Sequence, residues 1–201
     1  MNKKDEILKV ARRLFQEQGL NKTSTNDIAH AVGISRGTLY YHFESKEALI
    51  NALVDWICQG IFQEARDLSN NTDWSPEKRF IRVITSLNLA TSQDEDLLKN
   101  LNHPDNVLLH VKVQQEMLRE IPPILASIVE DGNKTSVFKA SYPLEAMEML
   151  VAYIVCVIDD ETVQADPSLE QHKIQSLIKH MELILGTKEG FFLSYLNQKG
   201  D

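Results

Sequence analysis

Between residues 23 and 46 the chain reads TSTNDIAHAVGISRGTLYYHFESK, and few local folds accommodate that stretch. Ser24 followed three places later by Asp27 forms a reciprocal cap: the hydroxyl accepts a free amide hydrogen of the first turn while the acid reaches back to the backbone. The helix that starts there places Ile28, Ala29 and Val32 on one buried side. It stops at Gly33, since glycine takes the left-handed conformation other residues avoid. After a turn of three or four residues, Ser35 caps a second helix. Leu39 and Phe43, four apart, point inward together and leave Arg36, Gly37, Tyr40 and Tyr41 outside. The result is a helix-turn-helix with a polar, aromatic-rich outer face.

That face suits nucleic acid. The guanidinium fork of Arg36 matches the paired acceptors of a guanine edge, Thr38 and Tyr40 can meet a thymine methyl or a phosphate oxygen, and Gly37 lets a backbone come close. Tyr41, His42, Lys46, Thr25 and the start of the first helix at Ser24 can hold the sugar-phosphate strand, which fixes register without reading sequence. Any single aromatic here could be packing, but Tyr40, Tyr41 and His42 are consecutive and cannot all face one core. His42 divides between the strand and the neighbouring helix, whereas Leu39 and Phe43 belong to the core.

The pattern T-S-T-x-D-I-A-x-x-x-G-I-S-x-G-T-L-Y-Y-H-F-x-S-K-E-x-L closely resembles the DNA-binding signature of TetR-family repressors of the AcrR and QacR kind, over roughly the first fifty residues. A two-dozen-residue pattern is far more specific than a short motif. Ile34 and Ser24 stand where valine and threonine are commoner, both mild departures. The resemblance implies an all-α protein with an N-terminal three-helix DNA-binding domain (1–46) and a larger C-terminal helical domain for effector binding and dimerisation (47–201). It also implies DNA contacts from Arg36, Thr38, Tyr40, Tyr41, His42 and Lys46, a homodimer on a near-palindromic operator, and a small-molecule trigger.

The formal charge of −8 over 201 residues looks wrong for a DNA binder until it is mapped. Residues 1–50 hold eight Lys or Arg against six Asp or Glu, a net of +2, and the rest carry −10. The local field decides binding, so the repulsive part is kept off the duplex. Cys58 and Cys156 lack metal or redox spacing and are expected to be reduced, mostly buried thiols. MNKKDEILK has no secretion pattern, and the most apolar segment, 144–158, is too short and carries Glu145 and Glu148, so the expectation is a cytoplasmic protein without a membrane role.

Ahead of the motif, Ile7, Leu8, Ala11, Leu14 and Phe15 make a helical stripe closing on Gly19. Beyond Ser45 a long helix runs for some six turns and takes Trp56 and Phe62 deep into the second domain, so that tilting it would move the reading face. Ser75 and Pro76 open another helix, a short one is expected over 94–103, and a longer one follows from Asp105. Pro122 and Pro123 should kink or break that helix before it ends near Gly132. The helix over 144–158 is apolar on nearly every side and must be covered all round. After an acidic loop, 159–166, a helix at 168–185 again carries surplus apolar surface. Two such helices from each subunit would make a four-helix dimer interface. The segment 191–196 should pack back by its aromatic rings.

Chemistry is absent from this pattern: there is no GxxxxGK, GxGxxG, HExxH or GxSxG, so no catalytic residue, metal or cofactor is expected. By resemblance an effector pocket would lie in the second domain, with Trp56, Phe62, His110, Met117, Met147 and Tyr153 as candidates for a hydrophobic small molecule. A regulator controlled by a protein partner, with no small-molecule effector, is the alternative.

Overall fold

The computed structural model describes residues 2–87, 107–158 and 165–196. The expected helix over 94–103 and residues 159–164 of the acidic loop lie outside the described residues. Those described are helical, joined by turns and short loops, with no strand among them. They fall into two compact units, residues 1–60 with 88–113, and residues 61–87 with 114–201.

The first unit begins with α1 (Lys3–Gln18), whose N-cap Asn2 accepts a hydrogen bond from the Lys4 amide. Ile7, Leu8, Ala11, Leu14 and Phe15 are buried along one stripe, as the period predicts. Gly19, at φ 84°, ends the helix with its N–H on the Phe15 carbonyl. Two short helices follow, α2 (Thr25–Val32) and α3 (Arg36–His42). Then α4 (Lys46–Ser69) starts as the Ser45 hydroxyl accepts the Ala48 amide at 3.0 Å. Leu49 and Leu53 of α4 join Ile28, Leu39 and Phe43 in burial. Trp56 lies in this unit, half-buried, with the Arg12 guanidinium 6.0 Å from its ring centre.

The second unit takes the end of α4 together with α5 (Pro76–Ser86), most of α6 (Val107–Lys134), α7 (Pro143–Tyr153), α8 (Pro167–Ile184) and α9 (Phe191–Leu196). The helix α6 runs unbroken through Pro122 and Pro123 and two residues past Gly132. Two prolines remove two ladder donors. Ile121, Leu125, Ile128 and Val129 are all completely buried beside them, and that packing holds the segment helical where the local rule predicts a break. The apolar helix expected over 144–158 is α7 followed by one π-helical turn, Ile154–Ile158. Gln114 of α6 donates to the Val155 carbonyl within that turn at 2.7 Å. Cys156 in the same turn is exposed, against the expectation of burial, while Cys58 is buried.

Polar side chains fasten this unit from inside. Buried Arg79 donates to the Ser69 carbonyl at the end of α4 (2.9 Å) and to the Asp131 carboxylate of α6 (3.1 Å). Buried Glu182 of α8 accepts the amides of Gly190 and Phe192, both at 3.0 Å, and so seats α9. The rings of α9 then close on the core as expected, with Phe192 5.5 Å from Phe80 and 6.4 Å from Phe138.

Candidate nucleic-acid interface

Each end of α2 is fixed by local chemistry. The Ser24 hydroxyl accepts the Asp27 amide at 3.2 Å, and the Asp27 carboxylate accepts both the Ser24 amide (2.8 Å) and the Ser24 hydroxyl (2.6 Å). Those bonds, the hydroxyl's first, hold the Asp27 carboxyl below the ordinary carboxylate value. Gly33, at φ 73° and ψ 33°, closes the helix in the left-handed conformation, and the Ile34 amide returns to the Ala29 carbonyl at 3.0 Å. The turn to α3 is thereby set within two residues. Ser35 accepts the Thr38 amide at 3.0 Å, and its hydroxyl lies 2.8 Å from that of Thr38.

With seven residues, α3 is too short to be stable alone. Buried Leu39 and Phe43 hold it, and the Lys4 ammonium lies 5.4 Å from the centre of the Phe43 ring. Anchored on that side, the helix leaves Arg36, Gly37, Thr38 and Tyr40 exposed, and Tyr41 is 85% exposed. A tyrosine left in water to that extent stabilises no core. His42 is half-buried and meets the Tyr41 ring edge-on at 5.3 Å.

The structure brings three of the predicted residues together across the two helices. The Tyr40 and Thr25 hydroxyls are 3.4 Å apart, and the Arg36 guanidinium lies 5.5 Å from the Tyr40 ring centre. The Thr25 hydroxyl first, then Arg36, lowers the Tyr40 phenol below its ordinary value. Lys46 stands elsewhere. Its ammonium donates to the Leu20 carbonyl at 2.5 Å, tying the start of α4 to the loop after α1. Thr23, to which the sequence pattern gives no task, is completely buried, and its hydroxyl donates to the Gly19 carbonyl (2.9 Å) and the Leu14 carbonyl (3.3 Å). A threonine just before a capping serine was the available signal, but it does not distinguish a buried brace from a solvated hydroxyl.

An added Cβ at Gly37 would meet only the Ser35 hydroxyl oxygen, at 3.7 Å, an ordinary contact. The fold therefore gives no steric reason for glycine at this exposed position, in a helix it weakens.

Trp56 and His110 belong to the first unit; Phe62, Met117, Met147 and Tyr153 belong to the second. Phe62, Met117 and Met147 are buried core residues. Met147 and Tyr153 line an apolar groove of about 310 Å³ between α7 and α8, with Met149, Leu177 and Met181. Among the described residues no cluster of His, Cys, Asp and Glu could hold a metal ion, and no helix is long and apolar enough to cross a membrane.

Residues 7–53 match the family described as bacterial regulatory proteins, tetR family, and residues 89–179 match the tetracyclin repressor-like C-terminal domain. The chain belongs to the TetR family. Over 71 residues it is 37% identical to the HTH-type transcriptional repressor KstR2 of Mycobacterium tuberculosis, a match covering 35% of this chain and 36% of that protein. About a third of that relative's length is thus spanned. Similar solved TetR-like folds include a transcriptional regulator from Cytophaga hutchinsonii, at TM-score 0.67 and 22% identity over 90% of this chain and 96% of that one. The complex of SmeT with triclosan matches at TM-score 0.62 and 21% identity, over 94% of this chain and 93% of that one; SmeT is the repressor of a Stenotrophomonas maltophilia multidrug efflux pump. Both matched families are described as regulators, one as bacterial regulatory proteins and one as repressor-like.

Proposed function

We propose that the chain is a homodimeric, sequence-specific transcriptional regulator acting in the cytoplasm, a repressor that leaves its operator when a small hydrophobic effector binds. The observation that carries the reading is the outer face of α3, where Arg36, Thr38, Tyr40 and Tyr41 are exposed on a helix fixed from behind by Leu39 and Phe43. Arg36 reads a base edge, Thr38 and Tyr41 meet the strand, and the N-terminus of α2 at Thr25 offers an amide hydrogen to a phosphate. Lys46 contributes from behind, by holding the loop that leads into α2.

Two half-sites one helical turn apart, about 34 Å, need two copies of this face. Support for the dimer comes from α7 and α8, where Met149 is 64% and Ile184 41% exposed along the apolar groove. A second copy of the chain covers that surface, since two helices from each subunit close a four-helix interface. The triclosan complex of SmeT supports an effector of small, largely apolar kind, which acts by favouring a conformer whose half-site spacing no longer fits.

Operator selection from random duplexes tests the reading. The protein should enrich a near-palindromic sequence, and Arg36→Ala should lower the preference for it by roughly 1–3 kcal/mol. A selection that enriches nothing, or an Arg36→Ala protein with undiminished preference, refutes it. Repeating the selection with apolar metabolites added separates effector control from control by a protein partner, which predicts that no small molecule lowers operator affinity.

A further inference from the structure

The contacts of Tyr40 give it a task other than touching DNA. Its ring lies beneath the Arg36 guanidinium, one turn earlier on α3, with 5.5 Å from the guanidinium carbon to the ring centre. Its hydroxyl faces that of Thr25 on α2, fifteen residues back, at 3.4 Å. Arginine carries many rotamers, and holding one of them in readiness removes an entropic cost from binding. An aromatic face does this without a competing carboxylate, which would neutralise the charge that a guanine edge must meet. The ring in turn needs a stop, and Thr25 supplies it.

We infer that Tyr40 is a positioning residue for sequence reading: pinned to Thr25 through its hydroxyl, it presents Arg36 to the base edge, so the preference for operator sequence depends on a contact made wholly within the protein. The inference rests on the DNA-binding reading above and deepens it. Thr25 and Tyr40 then act as one unit, and damage to either reaches DNA through Arg36. Tyr41, consecutive in the chain but 85% exposed, remains available for the strand itself.

The relay is tested in two arms. In the first, without DNA, the Arg36 side-chain Nε–Hε signal is followed by NMR in the full chain. The ring shifts it upfield in the parent; Tyr40→Leu abolishes the shift and Thr25→Val changes it. In the second, affinities for the selected operator and a scrambled duplex are compared. Tyr40→Phe and Thr25→Val each lower the ratio about two- to five-fold, the size of one long neutral hydrogen bond. The double variant loses no more than either single one, and Thr25→Ser, which keeps a hydroxyl, recovers the ratio. In the Arg36→Ala background, Tyr40→Phe changes nothing further.

Several outcomes overturn the relay: an Arg36 signal indifferent to Thr25→Val, additive losses in the double variant, or equal losses on operator and scrambled DNA, which would make Tyr40 a strand contact. A parent protein that selects no sequence refutes the DNA-binding reading instead. That result is distinct from a selective parent whose preference survives Tyr40→Phe, which sinks the relay alone.

Discussion

Gly37→Ala opposes stability to function at a single exposed position. On the stability side, glycine within a helix is worse than alanine by roughly 0.5–1 kcal/mol, because the unfolded chain loses more freedom on ordering. The new methyl would meet only the Ser35 hydroxyl oxygen, at 3.7 Å, so no clash offsets the gain. For a chain of this size each kcal/mol moves the melting temperature by about 2–4 °C, giving an expected rise of about 1–4 °C. On the functional side, Gly37 sits on the exposed face beside Arg36, and a methyl there holds the α3 backbone off a groove wall. An interface that depends on close approach should lose roughly tenfold or more in operator affinity, since 1.4 kcal/mol is tenfold and overpacking typically costs 1–3 kcal/mol. Differential scanning calorimetry and fluorescence anisotropy on the selected operator read the two effects separately. A lower melting temperature refutes the stability argument, and a raised one with undiminished operator affinity refutes the close approach.

Three further substitutions test the framework behind that face and the unit beyond it. Gly132→Ala should behave oppositely to Gly37→Ala: its Cβ would stand 2.1 Å from Phe138 Cδ2, in a ring cluster that cannot swing aside. The overpacking, about 1–3 kcal/mol, outweighs the helix gain, and chemical denaturation should show net loss with partial recovery on adding Phe138→Leu. Thr23→Val keeps the buried shape and removes the hydroxyl that serves the Gly19 and Leu14 carbonyls, costing about 1–2 kcal/mol by thermal unfolding. Asp131 is held below the ordinary carboxylate value of 3.8 by the Lys134 bond first and the Arg79 bond next. Because the folded-state value is the depressed one, its contribution is complete above 3.8 and disappears as pH falls through the folded value. Asp131→Asn should therefore flatten the acid limb of a melting-temperature profile below that pH.

Local rules carried the sequence reading as far as local chemistry reaches. Ser24, Asp27, Gly33 and Ser35 act on atoms within four residues, so α2, the turn and α3 were legible, and with them the outward set from Arg36 to Tyr41. The same rules left both a kink and a break open at Pro122 and Pro123; the helix does not break, because the cost of two missing donors is local while the burial of Ile121, Leu125 and Ile128 that outweighs it is tertiary. Lys46 shows the limit from another side: the motif places a cation at the head of α4, but a four-carbon stem reaches far enough that sequence cannot say whether it meets solvent or the Leu20 carbonyl.

The apolar helix illustrates why surplus hydrophobicity is informative even when its cover is not visible. Its sequence demands burial on nearly every side, and within the chain Ala146, Met147, Leu150 and Val151 obtain it, while Met149 on α7 and its neighbour across the groove, Ile184 on α8, do not. Scattered exposed apolar residues need no explanation, but here they border one continuous groove shared by two helices. The polar residues of α7 are placed consistently with this: Glu145 and Glu148 are both exposed. A partner made of the same two helices offers the complementary ridges that such a groove requires, and a two-fold axis through it doubles every contact. In the proposed dimer the same duplication would give α3 a second copy, so that one association would both cover α7 and α8 and let an operator be read twice.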